Sequence, residues 1–217
     1  MMRVVLLGGG GHASDVLGAI EALNQEAAPG HKEIKVAGLL ADDDIDPKRF
    51  AHRNVRQIGT LDDLASVDAS HFIACVGFPE GRRSVATRAT STDKTPATII
   101  HPRAWVPAGT KVGQGSVILA GVCVSPCADI GNHAYLSHGS LIGHDCEVCD
   151  FVSIMPGASV SGDTRLGTGA MIGANATVLQ KVQIGSWATL GAGAVANKNI
   201  PDKSTAIGIP ARVIRKV

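Results

Sequence analysis

The chain has 217 residues, of which 45% are hydrophobic and 18% charged, so a disordered protein is excluded and one or two folded domains are expected. The formal charge of +1 gives no basic excess that would favour nucleic acid or an anionic membrane as a partner. No run of about 20 apolar residues predicts a membrane-spanning helix. The 26 glycines outnumber the aromatic residues, so we expect a core of thin, regular layers of small side chains.

The N-terminus and the cysteines bear on the cellular compartment. Only four apolar residues follow Arg3 before Gly8, which is too short for a signal peptide. We therefore expect a cytoplasmic protein whose five cysteines are reduced thiols. Cys146 and Cys149 have the spacing of a zinc motif, but they fall at different positions of the repeat described below. Small apolar fillers explain them, and no metal is expected.

The first predicted elements are a buried strand over residues 3–7, a glycine turn at residues 8–11 and a helix to about Asn24. The spacing of the glycines, with Ala13 as the last position, matches a phosphate-binding motif. Strand, glycine turn and helix form the context in which a phosphate binds at a helix N-terminus. A tight turn that serves only helix–strand packing is the alternative.

Two further strands are predicted over residues 36–40 and 72–76. An acidic turn at residues 42–44 follows the first, and Gly77 follows the second, before a helix that begins with basic residues. Strands that alternate with helices indicate a parallel α/β sheet, in which ligands bind beyond the carboxyl ends of the strands. About 95 residues are few for a full dinucleotide-binding domain, so a mononucleotide or nucleotide sugar is favoured over NAD.

A six-residue repeat governs the second half of the chain. Every sixth residue from Ile100 to Leu190 is aliphatic, sixteen positions without an insertion, and the residue four places after each is small or β-branched. A period of six fits neither an amphipathic helix nor a simple hairpin and is typical of a hexapeptide β-helix. We predict a Rossmann-like α/β domain over residues 1–99 and an all-β parallel β-helix with a short tail over residues 100–217.

This repeat resembles that of the hexapeptide-repeat acyltransferases. The resemblance implies a left-handed β-helix in which three hexads close one coil, so that residue i lies next to residue i+18. It also implies a homotrimer with acyl-CoA in the groove between neighbouring prisms.

His144 and the adjacent Asp145 are the strongest candidates for chemistry on the β-helix. An imidazole is the usual general base near neutral pH, and a neighbouring carboxylate orients it. Gly162, one coil further along, would leave space for a thioester and present a backbone N–H to an oxyanion. His133 and His138 are nearby rivals, but His138 lacks both the acidic neighbour and the stacked glycine. In the next column, Pro156, Ala174 and Ala192 are 18 residues apart and would line a smooth groove for pantetheine.

Several motifs occur together in chain order: the glycine turn with His12, Asp42 and Asp43, Gly77, His144 with Asp145, Pro-Gly-Ala at residues 156–158 and Gly-Ile-Pro-Ala-Arg at residues 208–212. The combination resembles a group of bacterial sugar acetyltransferases. The group includes the N-acetyltransferases of nucleotide-linked 4-amino sugars, among them the bacillosamine and perosamine enzymes, and the sialic acid O-acetyltransferases.

The resemblance implies a role for each matching residue. It implies that the nucleotide sugar is bound by Gly10, Gly11, His12, Asp42, Asp43 and Gly77, that His144 is the base with Asp145 as its partner, and that acetyl-CoA contacts Ser153, Gly162, Ala174 and Ala192. Some members carry a second histidine where this chain has Ser153, which can donate a hydrogen bond but cannot act as a base. Arg212, Arg215 and Lys216 are either contacts for CoA phosphates or a solvated basic tail.

The expected activity is acetyl transfer from acetyl-CoA to the 4-amino group of a nucleotide-linked 4-amino-4,6-dideoxy sugar. The amine would attack the thioester directly, with His144 as general base and without a metal or a covalent enzyme intermediate. O-Acetylation of a sialic-acid-type sugar is the nearest alternative and would use the same base. A non-catalytic nucleotide-sugar or CoA sensor and an NAD-linked oxidoreductase are further alternatives.

Overall fold

The structure is a computed structural model that describes residues 1–26 and 33–216, with the side chain of Lys216 outside the described part. The N-terminal domain comprises β1 (Met2–Leu7), α1 (Gly11–Gln25), β2 (Ile34–Leu40), β3 (Gln57–Gly59), β4 (His71–Ala74), α2 (Pro79–Ala89), β5 (Thr95–Pro96) and 3-10 helices at Pro47–Arg49, Ala51–Arg53 and Leu61–Ser66. Its strands form a parallel sheet in the order β3-β2-β1-β4-β5. Within the described residues, no helix is long and apolar enough to cross a membrane.

The chain enters the second domain shortly after β5. Its strands are β6 (Ile99–Ile100), β7 (Lys111–Val112), β8 (Val117–Ile118), β9 (Cys123–Val124), β10 (Asp129–Ile130), β11 (Tyr135–Leu136), β12 (Leu141–Ile142), β13 (Glu147–Val148), β14 (Ser153–Ile154), β15 (Ser159–Val160), β16 (Arg165–Leu166), β17 (Met171–Ile172), β18 (Thr177–Val178), β19 (Gln183–Ile184), β20 (Thr189–Leu190), β21 (Val195–Ala196), β22 (Ser204–Ile207) and β23 (Arg212–Lys216). The boundary predicted between residues 99 and 100 falls inside β6. The predicted tail instead ends in an antiparallel hairpin of β22 and β23.

These strands form the parallel β-helix predicted from the repeat, a triangular prism with three faces, and its left hand is the one that the family resemblance implies. Tyr135 pairs with Ser153, 18 residues later, so three hexads make one coil. Every aliphatic position of the repeat from Ile118 to Leu190 is at most 3% exposed. Burying each such side chain contributes about 1.5–3 kcal/mol, and the regular spacing lets all of them fill one continuous core.

The three faces differ in what covers them. The covered face contains β6, β8, β11, β14, β17, β20, β22 and β23; the uncharged face contains β9, β12, β15, β18 and β21; and the charged face contains β7, β10, β13, β16 and β19. Val117, Leu119 and Tyr135 project from the covered face into a hydrophobic cluster of the N-terminal domain. The N-terminal domain therefore packs on one side of the prism.

Three edges separate these faces, and each is a column of residues 18 apart. The cleft edge, between the covered and uncharged faces, contains His138, Pro156, Ala174 and Ala192; the histidine edge, between the uncharged and charged faces, contains His144 and Gly162; and the aromatic edge, between the charged and covered faces, contains His133, Phe151, Gly169 and Trp187. The histidine edge thus lies opposite the face that carries the N-terminal domain.

The aromatic edge fixes the N-terminal domain against the prism. The His133 and Phe151 rings stack with centroids 5.0 Å apart, and Phe72 of β4 stacks on His133 at 6.3 Å. Further along, the guanidinium of Arg83 lies 4.5 Å from the centroid of the Trp187 ring, a cation–π contact. The domain is therefore docked at two levels of the prism.

Candidate active site

A cleft of about 480 Å³ lies between the N-terminal domain and the cleft edge of the prism. It is lined by Gly8, Gly9, Gly10, Gly11, His12 and Asp15 from the β1–α1 segment, Cys75, Val76, Gly77 and Phe78 from the β4–α2 segment, and Tyr135, Ser137, His138, Met155 and Pro156 from the prism. The structure therefore brings the predicted residues Gly10, Gly11, His12 and Gly77 together at one site.

Both α-helices begin at this cleft. Gly10 is the N-cap of α1 and Phe78 the N-cap of α2, and neither cap makes a side-chain hydrogen bond to the helix. A Cβ added at Gly10 or Gly77 would meet no atom within 4 Å, so these backbone segments face open space. Free N–H groups and the positive ends of two helix dipoles favour an anion such as a phosphate.

His12 enters the cleft as a neutral imidazole. Its ring lies edge-on to Tyr135 with centroids 3.9 Å apart, and among the described residues neither ring nitrogen has a hydrogen-bond partner. Burial, helped by the charge of Arg82, lowers the pKa of His12 to about 3. One nitrogen therefore donates and the other accepts, so His12 suits a sugar hydroxyl or amine better than it suits charge pairing with phosphate.

The acidic turn lines a second pocket of about 400 Å³, which shares Gly8, Gly9, Gly10 and Val76 with the cleft. Asp42 accepts hydrogen bonds from the Leu61 N–H and from Arg88, and the latter contact lowers the pKa of the Asp42 carboxyl. Asp43 is exposed beside it. The two predicted acidic residues thus lie next to the glycine turn rather than in the cleft beside the prism.

The His144 and Asp145 side chains form a pair on the histidine edge. Nδ1 of His144 lies 2.6 Å from Oδ2 of Asp145, and both side chains are about half exposed. Asp145 has a φ of 57°, and this left-handed turn brings its carboxylate beside the ring. Because an ionised carboxylate only accepts hydrogen bonds, Nδ1 carries the proton and Nε2 keeps its lone pair for a substrate.

Gly162 lies directly beneath this imidazole. A Cβ at Gly162 would stand only 2.5 Å from Nε2 of His144, so any larger residue would displace the ring. The contact is the one expected if residues 18 apart lie next to each other on successive coils.

The cleft and the His144–Asp145 pair lie on different edges of the prism. His144 does not line the cleft, which opens at His138 and Pro156. Gly162 shares the histidine edge with His144, whereas Ala174, half-buried, and Ala192, exposed, continue the cleft edge beyond Pro156. Within one chain, the predicted base and the predicted nucleotide-sugar site are therefore not brought together.

The prediction that Ser153 contacts acetyl-CoA is wrong. Ser153 is fully buried on the covered face, where its hydroxyl donates to the Gly77 carbonyl at 2.8 Å and accepts from Arg82 at 3.0 Å. The side chain bridges the two domains and has no exposed surface for a cofactor.

Sequence analysis named His138 and Pro156 but did not identify Tyr135, Ser137 and Met155, the other prism residues that line the cleft. Tyr135, the single tyrosine of the chain, places its hydroxyl 3.4 Å from Asp15 and 3.2 Å from Ser137. Burial raises the pKa of Tyr135 to about 12. Tyr135 is a large aromatic residue at an outward position of a repeat of small residues. This was the signal in the sequence that another part of the protein packs on the covered face.

The cysteines do not form a cluster. Cys146 is 2% exposed and belongs to the core of the prism, whereas Cys127 is exposed. Across residues 1–26 and 33–216, no group of three or more His, Cys, Asp or Glu residues is arranged to hold a metal ion.

Sequence comparisons match only short segments of the chain. No protein-family model matches it. The serine acetyltransferase of Bacillus pumilus is 49% identical over 39 residues, and that of Buchnera aphidicola is 38% identical over 42 residues. The matches cover 18% and 19% of this chain, which spans only 18% and 15% of those proteins.

Solved structures match almost the whole chain. PerB from Caulobacter crescentus, in complex with CoA and GDP-perosamine, has a TM-score of 0.87 at 27% identity, covering 99% of this chain and 98% of that one. The acetyltransferase domain of PglB from Neisseria gonorrhoeae, in complex with acetyl coenzyme A, has a TM-score of 0.84 at 30% identity and 98% coverage of each chain. Two structures of the perosamine N-acetyltransferase from Caulobacter crescentus carry a replacement of one histidine. Because these structures match the chain over nearly its full length and over nearly their own, the chain belongs to the hexapeptide-repeat sugar N-acetyltransferases.

Proposed function

We propose that the protein transfers the acetyl group of acetyl-CoA to the 4-amino group of a UDP-, GDP- or dTDP-linked 4-amino-4,6-dideoxy sugar. The observation that carries this proposal is the cleft, where two uncapped helix N-termini face the prism of an acetyltransferase fold. Structures that match the chain over its full length hold CoA and GDP-perosamine, which supports both substrates.

The nucleotide sugar binds along the N-terminal domain. Its diphosphate accepts hydrogen bonds from backbone N–H groups near Gly10, Gly11 and Gly77, where both helices begin. The nucleoside extends into the second pocket, beside Asp42 and Asp43. The sugar points to the prism, where neutral His12 contacts a hydroxyl or amino group.

The chemistry is a direct attack on the thioester. The neutral amine forms the N–C bond to the thioester carbonyl carbon while Nε2 of His144 takes the amine proton. Asp145 stabilises the imidazolium, and the Gly162 amide donates to the oxyanion of the tetrahedral intermediate. The C–S bond then breaks, and the sulfur leaves as CoA thiol with the proton held by His144.

A second subunit completes the site. In one chain His144 lies on the edge opposite the covered face, away from the cleft. If three prisms turn their uncharged faces to a common axis, the cleft edge of each meets the histidine edge of the next. We therefore assign a homotrimer in which each cleft receives His144 from a neighbour, with acetyl-CoA along the groove past Ala174 and Ala192.

The side chains of the prism faces favour this arrangement. The charged face carries a Lys111–Asp129 ion pair at 3.1 Å and an Arg165–Glu147 pair at 2.8 Å. The uncharged face instead presents Cys123, Leu141, Ser159, Thr177 and Val195 outward. Because the cores of protein interfaces are depleted of charged residues, the uncharged face is the one suited to contact other subunits.

The cysteines, the net charge and the chemistry bear on the compartment, the partners and the need for a metal. All five cysteines are free thiols, which agrees with a cytoplasmic protein. A formal charge of +1 gives no reason to propose nucleic acid or a membrane as a partner. The mechanism has no step for a metal, since a thioester is already activated.

Mass spectrometry of the product tests the function. The purified protein is incubated with acetyl-CoA and UDP-, GDP- or dTDP-linked 4-amino-4,6-dideoxy sugars, and we expect one to gain a single acetyl group on nitrogen. The matched control is the same sugar nucleotide with a 4-hydroxyl group, and free sialic acid is a second control. Acetylation of the hydroxyl sugar or of sialic acid alone, or binding without turnover, would contradict the proposal.

A further inference from the structure

Arg82, in the first turn of α2, is buried where the two domains meet and is 2% exposed. Its guanidinium donates to six acceptors: the carbonyl oxygens of Val76, Gly77, His133, Phe151 and Val152 at 2.8–3.1 Å and the Ser153 hydroxyl at 3.0 Å. One side chain thus joins the β4–α2 segment of the cleft to two coils of the prism.

The charge of Arg82 is held without a counterion. No ion pair of residues 1–26 and 33–216 includes this side chain. Burial lowers the pKa of Arg82 to about 10, so the group remains charged at neutral pH. Burying an unpaired charge is costly, and a carboxylate partner would serve a purely structural contact better.

The contacts of Arg82 determine how the cleft wall is oriented. It holds the carbonyl groups of Val76 and Gly77, and Ser153 donates a second hydrogen bond to the Gly77 carbonyl. In a trans peptide the N–H points away from the carbonyl. The N–H groups of Gly77 and Phe78 therefore point away from Arg82, and within the described ranges they donate to no protein acceptor.

We propose that Arg82 is a positioning residue for the acetyl acceptor. It holds the Val76 and Gly77 carbonyls in the domain interface, so that the N–H groups of Gly77 and Phe78 and the buried positive charge bind the diphosphate of the nucleotide sugar. This inference rests on the proposed function. The charge reaches the cleft, since Arg82 also contributes, after burial, to the lowered pKa of His12.

Titration calorimetry tests the proposal, with UDP, GDP and dTDP as probes of the cleft and CoA as a probe of the other substrate site. We expect Arg82→Met to weaken binding of the preferred nucleoside diphosphate about tenfold or more, because the Gly77 and Phe78 N–H groups lose their fixed orientation and the cleft loses a buried positive charge. Arg82→Lys keeps the positive charge but not the several N–H donors of the planar guanidinium, so its affinity for the diphosphate should be intermediate. CoA binding should be unchanged in both variants.

Arg83→Met is the matched control, because Arg83 is on the same helix and the same domain interface but contacts Trp187, away from the cleft. It should bind both probes as the wild type does. If wild-type protein binds none of the three diphosphates, the proposed function and this inference both fail. If it binds one and Arg82→Met binds it equally well, only the inference fails.

Two further outcomes also test the role of Arg82. Equal weakening of CoA binding in Arg82→Met would show a general structural role and overturn the proposal. If the Arg82 variants do not fold, Ser153→Ala takes their place, since it removes one of the two hydrogen bonds to the Gly77 carbonyl. This variant should weaken diphosphate binding about threefold and leave CoA binding unchanged, and an unchanged diphosphate affinity would contradict the proposal.

Discussion

The imidazole of His144 lies across Gly162, which is one coil further along the prism and has no side chain to push the ring away. Since residues 18 apart are neighbours, the coil that follows the base also sets its orientation. The same closeness puts the backbone amide of Gly162 beside the imidazole of the proposed base. In the proposed mechanism, the position of the base and the stabilisation of the oxyanion therefore both depend on one glycine.

Replacement of this glycine is the first test. In Gly162→Ala the new methyl group would stand 2.5 Å from Nε2, so the ring must move off its position. We expect kcat to fall about 100-fold, the effect of losing a positioned acid–base group. Gly18→Ala, inside α1, is the matched control, because the new Cβ would meet only the guanidinium of Arg53, at an ordinary contact distance of 3.9 Å. Similar kcat losses in both variants would contradict the role of Gly162.

Removal of the proposed base, His144, gives the second prediction. We expect His144→Asn to lower kcat by a factor of about 100 to 10,000 while the affinity for the nucleotide sugar stays unchanged. His52→Asn, at an exposed position of the N-terminal domain, should behave as the wild type. His138 lines the cleft, so His138→Asn should raise KM for the sugar more than it lowers kcat. A complete loss of turnover in His138→Asn, with His144→Asn active, would reverse the assignment.

The groove on the cleft edge gives the third prediction. Ala174 is half-buried between Pro156 and Ala192, and an indole at this position would fill the path assigned to pantetheine. We expect Ala174→Trp to raise KM for acetyl-CoA about tenfold without changing KM for the nucleotide sugar. Ala108→Trp, at an exposed position near the start of the prism, is the control. If steady-state kinetics show the same KM for acetyl-CoA in Ala174→Trp as in the control, the groove lies elsewhere.

The neutral state of His12 makes a prediction about pH and stability. The pKa of His12 is about 3 in the folded protein, against an ordinary value of 6.5 in the unfolded chain. Below pH 6.5 the unfolded chain therefore binds a proton that the folded chain does not. The free energy of unfolding is therefore unaffected by protonation of His12 above pH 6.5. As the pH falls from 6.5 towards 3, it decreases by about 1.4 kcal/mol per pH unit. His12→Gln should reduce the slope of the unfolding free energy against pH in this window.

Urea unfolding at about pH 7 and about pH 5, at one protein concentration, measures that slope. Some dependence should remain in the variant, because burial also lowers the pKa of His133. An unchanged slope in His12→Gln would show that the imidazole is not held neutral.

Much of the fold could be predicted because each position of the hexad has one environment. An aliphatic residue every six positions must point inward, whereas the three hexads per coil were implied by the family resemblance and are seen in the strand pairing. Residues 3–7, 36–40 and 72–76 were also predicted as strands and correspond to β1, β2 and β4. The strands β3 and β5 were missed because they have only three and two residues and show no apolar alternation.

The site was predictable where the repeat sets neighbours and where the carboxyl ends of parallel strands bring Gly10 and Gly77 to one cleft. The spacing places Gly162 beside His144, and the structure shows that contact. The repeat also indicates that Ser153 points outward, but it cannot tell whether solvent or another domain lies there. Arg82 belongs to the other domain, and the contact between Arg82 and Ser153 arises only when the two domains pack together.

Subunit complementation tests the central claim, that one chain's cleft works with the His144 of another. His144→Ala keeps its cleft, whereas Gly10→Trp keeps its base and fills the cleft with an indole, since a Cβ at Gly10 meets no atom within 4 Å. Each variant alone should be inactive. Co-expression in equal amounts should restore about a quarter of the wild-type sites, the statistical share in which an intact cleft meets an intact histidine of the next subunit. Mixtures as inactive as the two variants alone would show that cleft and base do not meet across subunits and would contradict the account.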